Sequence, residues 1–515
     1  MRRFILAIAA VLLAAPALAD PPAVQIAQGA LAGDVEDGIA VFRGIPYAAP
    51  PTGALRWRAP QPAANWSGIR NARAFGAICP QIAGPRTSGL KQSEDCLTLN
   101  VWSPDARESA KLPVMVWIYG GSFRTGGSAM HIYDGTDLAK RGVVIVTLNY
   151  RLGPLGFMDL SALGQNIPGE PAANYGLMDQ LAALKWVQTN IARFGGDPSN
   201  VTIFGESAGG VSVNVLMASP ASRGLFAKAI SESGLGLIAT KTKAEGQATA
   251  ASFAAHHNAN GASTLATLRA LPVKDILNDE KRDGIFNGFG PYVDGTVIPD
   301  QVSVLFAKGE IAKIPYLTGW NSNEASLMPS LGDTTASVLA QLGEHGDRIR
   351  ALYEQKGKLS DDDFAALLFD DDVFGAGAQG LAGFVAAAGQ PSYVYHFAYV
   401  AEGFRSRFKG VDHAGEIPYV FGTRGLDLPF TVTLLTGGIT DNDQKVIAQV
   451  QSYWTNFAKT GNPDGAGLSA WPSFKPGRTT LVIDNDGAAA QAGFRQDEIA
   501  LGLARWRMRT GLALP

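Results

Sequence analysis

The chain has 515 residues, 46% of them hydrophobic, with 43 basic and 46 acidic residues and a formal net charge of −3. That mild acidity offers no basic footprint for nucleic acid or an anionic membrane, and the hydrophobic content is that of a large globular protein. A chain of this length often divides into domains. No Ser/Gly-rich linker, charge block or repeat interrupts it, so residues 20–515 read as one elaborated domain.

Arg2 and Arg3, the apolar run Phe4–Ala15 and the small-x-small triplet Ala17-Leu18-Ala19 have the form of a cleaved secretory signal. The apolar run is shorter than the about 20 residues that span a bilayer. The expectation is therefore a signal peptide over 1–19, a secreted or periplasmic mature chain starting near Asp20, and no membrane anchor after cleavage. Cleavage removes two arginines and leaves 41 basic against 46 acidic residues. The only cysteines are Cys79 and Cys96. In an exported chain they are expected to pair, a closure worth about 3 kcal/mol on the chain-entropy model. Two cysteines without neighbouring histidines make a poor metal site, and no metal or cofactor is expected.

Further along, Leu112–Tyr119 and Val143–Asn149 are short Val/Ile-rich runs that read as buried parallel strands. Tyr175–Phe194 has helical spacing and stops at Gly195-Gly196-Asp197-Pro198. Next, Val201-Thr202-Ile203-Phe204 runs into Gly205-Glu206-Ser207-Ala208-Gly209-Gly210, which reads as a strand, a sharp turn with a serine at its apex, and a helix start. Glycine two residues either side of Ser207 fits a turn too tight for a Cβ. In a chain with 60 glycines the pattern is not decisive alone.

Residues 222–231 pass from helix to strand, ending at Ser231-Glu232-Ser233-Gly234, and further strands are expected at Ile314–Gly319 and Tyr393–Val400. Strands alternating with helices imply a mostly parallel α/β sheet. Residues 326–390 read as a helical insertion over the active end of the sheet, a candidate lid. Within it, Asp370–Asp372 read as a solvated helix end rather than a metal site.

A serine hydroxyl needs a base to take its proton and an acid to orient the base. In an α/β-hydrolase sheet these follow in the order Ser, acid, His. That order excludes His131. His256 and His257 lie in an Ala-rich helical stretch, His345 in another helix-like region, and His396 inside a strand. His413 remains, in the loop Gly410–Glu416 after the last expected strand. Glu324, in the loop just past the strand ending at Gly319, is the favoured acid; Asp294 competes, although its Asp-Gly pair reads as a turn. Tyr119-Gly120-Gly121-Ser122-Phe123 offers an oxyanion loop, with backbone N–H donors at Gly121, Ser122 and Ala208. Loss of one such donor costs ~2.7–4 kcal/mol of transition-state stabilisation.

With these residues in place, the chain resembles the type-B carboxylesterases, the group that holds cholinesterases and bacterial p-nitrobenzyl esterases. The matching stretches include Phe42–Ala48, Ser93–Trp102, Asn149–Gly153, Asn174–Gln180, Phe194–Pro198, the Ser207 turn, His413–Gly422 and Trp454–Ala458. The resemblance implies an α/β-hydrolase fold, a Ser207/Glu324/His413 triad and a Cys79–Cys96 disulfide. It alone implies supporting roles beside the triad for Glu206, Ser233 and Glu416.

Three departures limit what the resemblance carries over, the one at Ala325 being read as harmless. Ser122 stands where the oxyanion loop usually has a third glycine, and Ala325 where a glycine usually follows the acid. The Cys79–Cys96 loop contains no tryptophan to hold a quaternary ammonium by cation–π attraction, so a choline ester is not the expected substrate. Phe286 and Phe289, before Pro291, are candidate walls of an acyl pocket. The expected activity is hydrolysis of a small-molecule carboxylic ester through an acyl-enzyme. Amides, thioesters, polyesters or a toxin ester are alternatives for the same triad, and a non-catalytic adhesion or binding protein is the remote one. Nothing in the sequence fixes the oligomeric state.

Overall fold

A computed structural model describes residues 22–164, 170–259, 261–282, 288–423, 438–475 and 477–514. The expected leader over 1–19 and Phe286 lie outside them. Strands β1 (Ala23–Ile26), β2 (Gly29–Ala32) and β5 (Ile69–Asn71) form a small sheet. The main sheet holds eleven strands among the described residues, in the order β3 (Asp34–Glu36), β4 (Ile39–Pro46), β6 (Thr98–Ser103), β8 (Val144–Leu148), β7 (Leu112–Ile118), β9 (Gly196–Glu206), β10 (Lys228–Glu232), β11 (Tyr316–Asn321), β12 (Ser392–Phe397), β13 (Thr479–Asp484) and β14 (Gly487–Ala492).

From β8 to β13 every neighbouring pair is parallel, while the strands at both edges pair antiparallel. Strands β8, β10, β11 and β12 are buried along their whole length. Burial on both faces explains why they read as unbroken apolar runs rather than alternating ones. The turn after β8 is locked by the buried Arg151–Asp179 pair, in which the guanidinium donates to both carboxylate oxygens at 2.7 and 2.8 Å. Cys79 and Cys96 are joined in a buried disulfide. Among the described residues no helix is long and apolar enough to cross a membrane.

Element boundaries shift for local reasons. The helix begun at Tyr175 runs to Asn190, tightens to a 3-10 turn over Ile191–Phe194 and stops at left-handed Gly195. Strand β11 starts at Tyr316, two residues later than expected, because Pro315 has no N–H to give the ladder. β13 and β14 follow β12, so the His413 loop is not after the last strand. The Ala-rich β14 carries no strand pattern of its own, and its ladder with β13 makes it a strand.

The region 326–390 is helical, and its last helix, Ala376–Ala387, packs on β11 and β12. One expectation there is overturned. Asp370–Asp372 do not form a solvated helix end: they open a π-turn, Asp370–Gly375, with Asp370 and Asp371 buried. Asp371 and Asp372 gain ionic partners in Arg495 and Arg505, which a local reading of the helix cannot supply.

Where β9 meets the helix Ala208–Ala218, Ser207 sits at φ 56° and ψ −123°. A Cβ at Gly205 would lie 2.5 Å from the Ile118 carbonyl oxygen, and one at Gly209 only 1.9 Å from the same atom. Both glycines are therefore fixed by the neighbouring backbone of β7. Gly209→Ala is expected to cost about 1–3 kcal/mol by overpacking; equal denaturant midpoints for variant and parent would refute the steric argument.

Candidate active site

The turn at Ser207 is anchored sideways, its N–H donating to the Glu232 carbonyl at the end of β10 (2.9 Å). Opposite lies the loop after β7. A Cβ on Gly120 would approach the Glu206 carbonyl oxygen at 2.6 Å, so this loop packs directly against the turn. Gly121, Ser122 and Phe123 all take positive φ, at 106°, 57° and 60°. A left-handed backbone at Ser122 is the physical reason a glycine is common there, and the serine holds it at some strain.

His413 and Glu324 come from different loops that are laced together. Asn323 N–H donates to the Val411 carbonyl (2.9 Å), Val411 N–H to Ser322 Oγ (2.9 Å) and His413 N–H to Ser326 Oγ (2.9 Å). This brings His413 Nδ1 to 2.5 Å from Glu324 Oε2. The other oxygen, Oε1, accepts from Ser233 Oγ (2.6 Å) and from the Asn321 N–H (2.7 Å). Nε2 of His413 points away from Glu324, lies 3.1 Å from Glu206 Oε1, and is buried without a hydrogen-bond partner among the described residues.

Glu416 Oε2 accepts from the Asn321 side chain, and Glu232 Oε1 from Trp454 Nε1 at 2.8 Å. Burial pushes Glu206 up to about 7 and Glu232 up to about 8, and holds Glu416 well above the usual carboxylate range. At His413 burial opposes the charged form, but the carboxylates of Glu206 and Glu324 outweigh it and raise the imidazole well above its ordinary value.

Two cavities meet at Ser207. One, about 340 Å³, is lined by Gly120, Gly121, Ser122, Glu206, His413 and the disulfide-loop residues Gly84–Thr87. The other, about 190 Å³, is lined by Ala208, Val211, Leu235, Ile238, Lys241 and Phe289. Ser122, Ser207 and Leu327 border both.

Family comparison agrees over most of the chain. A model described as the carboxylesterase family matches residues 20–364 and 347–501. The chain belongs to the carboxylesterase family. It is similar to the fumonisin B1 esterase of Sphingopyxis macrogoltabida, 37% identical over 474 residues and covering 88% of this chain and 85% of that protein. The para-nitrobenzyl esterase of Bacillus subtilis is 37% identical over 477 residues, covering 89% of this chain and 94% of that one. Among solved structures, a PNB esterase superposes with a TM-score of 0.79 at 34% identity, and a Geobacillus stearothermophilus carboxylesterase with 0.80 at 32%. Each superposition covers 93% of this chain and 99% of the other. The fold is thus the α/β-hydrolase fold, and the protein is a carboxylic ester hydrolase.

The competing residues go elsewhere in this esterase. Asp294 spends one oxygen on the N–H groups of Thr296 and Ile298 and the other on Asn174, inside its turn. His396 is buried against Trp320 and Phe494, and burial pushes it down to about 3. Sequence reasoning missed Asp370, whose Oδ1 accepts the Ala325 N–H at 2.7 Å, and Glu232. Neither carries a local motif, and only the tertiary packing brings them near the site.

If His413 is the base, it must be neutral to accept a proton, and the two carboxylates that raise its imidazole would move the acidic limb of kcat/KM above the ordinary histidine range of about 6.5. Glu206→Gln deletes one of those charges and is expected to move that limb to lower pH. A limb that stays in place would contradict the electrostatic reading.

Proposed function

We propose that this esterase is an exported enzyme that hydrolyses small carboxylic esters through an acyl-enzyme on Ser207, activated by His413 and Glu324. The observation that carries the reading is the 2.5 Å contact between Glu324 and His413 Nδ1, with His413 and Ser207 lining one cavity. A carboxylate on Nδ1 holds the proton there, so the lone pair of the neutral ring is on Nε2. Nε2 takes the Ser207 proton as Oγ attacks the ester carbonyl. Glu324 then stabilises the imidazolium.

The backbone N–H groups of Gly121, Ser122 and Ala208 receive the negative charge that develops on the carbonyl oxygen. His413 returns its proton to the leaving alcohol, then activates water to release the acid. Ser233 and Asn321 support this by holding the far oxygen of Glu324. Glu206 supports it by favouring the charged ring that forms during each half-reaction.

The smaller cavity, with Phe289, takes the acyl group, and the larger one beside the disulfide loop takes the alcohol. The helical stretch that begins beyond Glu324 roofs the site through Leu327. This division predicts a preference for short acyl chains with tolerance of bulky alcohols.

Steady-state rates test both parts. Ser207→Ala is expected to lower kcat by roughly 10⁴- to 10⁶-fold, and Glu324→Gln by about 10⁴-fold. Rates should fall as the acyl chain lengthens in a p-nitrophenyl ester series, and Phe289→Ala should extend the tolerated length. Residual activity near the parent in Ser207→Ala would overturn the assignment. Faster turnover of a matched anilide would overturn the ester preference.

A further inference from the structure

The three aspartates at 370–372 have no part in the chemistry described so far. They open the π-turn Asp370–Gly375, inserted between the helices Asp361–Phe369 and Ala376–Ala387. Such single turns recur at functional sites, and the extra residue re-aims the side chains around it. Here the side chains reach three separate places. Asp371 pairs with Arg495 at the start of the helix Gln496–Thr510, and Asp372 pairs with Arg505 within it. Asp370 turns the other way, onto the Ala325 N–H, and the Phe374 ring lies 5.6 Å, centre to centre, from the imidazole of His413.

We propose that this π-turn positions the triad: Asp370 fixes the loop that carries Glu324, Phe374 backs His413, and the two arginine pairs hold the turn itself. The inference rests on the assignment of Ser207, His413 and Glu324 as the triad.

Its physical basis is the place of Ala325. The 3-10 turn Glu324–Leu327 begins at the acid, and the first N–H groups of any helix have no partner within it. Asp370 accepts one of them, from the peptide that joins Glu324 to Ala325. Fixing that peptide fixes the backbone from which the Glu324 side chain projects. Without the acceptor, this N–H would lose its partner beside a fully buried carboxylate.

Asp370 is itself 5% exposed. Burial, then the charges of Glu324 and Asp371, pushes its carboxyl well above the usual carboxylate range. A neutral carboxyl keeps an acceptor oxygen for Ala325 and adds no second negative charge next to the acid. Asparagine reproduces that state. Leucine copies the shape without the acceptor, and alanine removes both.

The test compares Asp370→Asn, Asp370→Leu and Asp370→Ala with the parent full-length enzyme on one p-nitrophenyl ester, with Ser207→Ala as control. Circular dichroism and melting curves check the fold of each. The Leu and Ala variants are expected to lose roughly 10- to 100-fold in kcat with little change in KM, as a slightly misplaced group does. The Asn variant should keep kcat close to the parent. Unchanged kcat in the folded Leu or Ala variant overturns the proposal, and so does an Asn variant that falls as far as the Leu one. A fully active Asp370→Leu beside a dead Ser207→Ala sinks this inference alone, whereas an active Ser207→Ala sinks the triad assignment beneath it.

Discussion

Glu324 has no solvent exposure, and a carboxylate without water must be met by donors or take up a proton. The donors that meet it come from three neighbouring segments of the sheet. Ser233 follows β10, Asn321 ends β11, and His413 lies in the loop after β12. Strands β10, β11 and β12 are adjacent and parallel, so their carboxyl ends emerge side by side. The acid is thus held where the strand order brings its partners together. The same order places Ser207 at the end of the next strand, β9, with its N–H on the Glu232 carbonyl of β10.

Around this centre the chain accepts several local costs. Ser207 and Ser122 keep left-handed backbones that side-chain-bearing residues seldom adopt, and close packing of the two loops holds them there. Glu206, Glu232 and Glu416 are buried together, and burial pushes each toward its neutral form. The negative charge that Glu206 and Glu324 keep favours a positive imidazole at His413. In the proposed acyl-enzyme mechanism, that is the state His413 must reach each time Ser207 forms or releases an acyl bond.

Much of this was legible in the sequence because it is encoded locally. A Gly at each side of Ser207 reports a turn with no room for a Cβ, and the approach of Gly209 to Ile118 is that lack of room made visible. The strand that ends near Asn321 points to Glu324, and chain order leaves His413 after the other histidines are set aside. What stayed illegible depends on distant partners. Asp370–Asp372 look like a solvated helix end until Arg495 and Arg505, more than a hundred residues later, are seen to pair with two of them. The Ala-rich strand β14 has no strand signature apart from its ladder with β13. Glu206, Ser233 and Glu416 stood out only through the family resemblance, since isolated acids and serines carry no spacing signal.

If the geometry at the end of β9 makes one hydroxyl in the molecule a nucleophile, a single residue should react with an electrophilic phosphorus centre. The most direct test is reaction of the folded enzyme with a fluorophosphonate, followed by intact mass and peptide mapping. A single adduct is expected, on the peptide containing Ser207, and none in Ser207→Ala. An adduct on another residue, or an unmodified parent enzyme, would contradict the assignment.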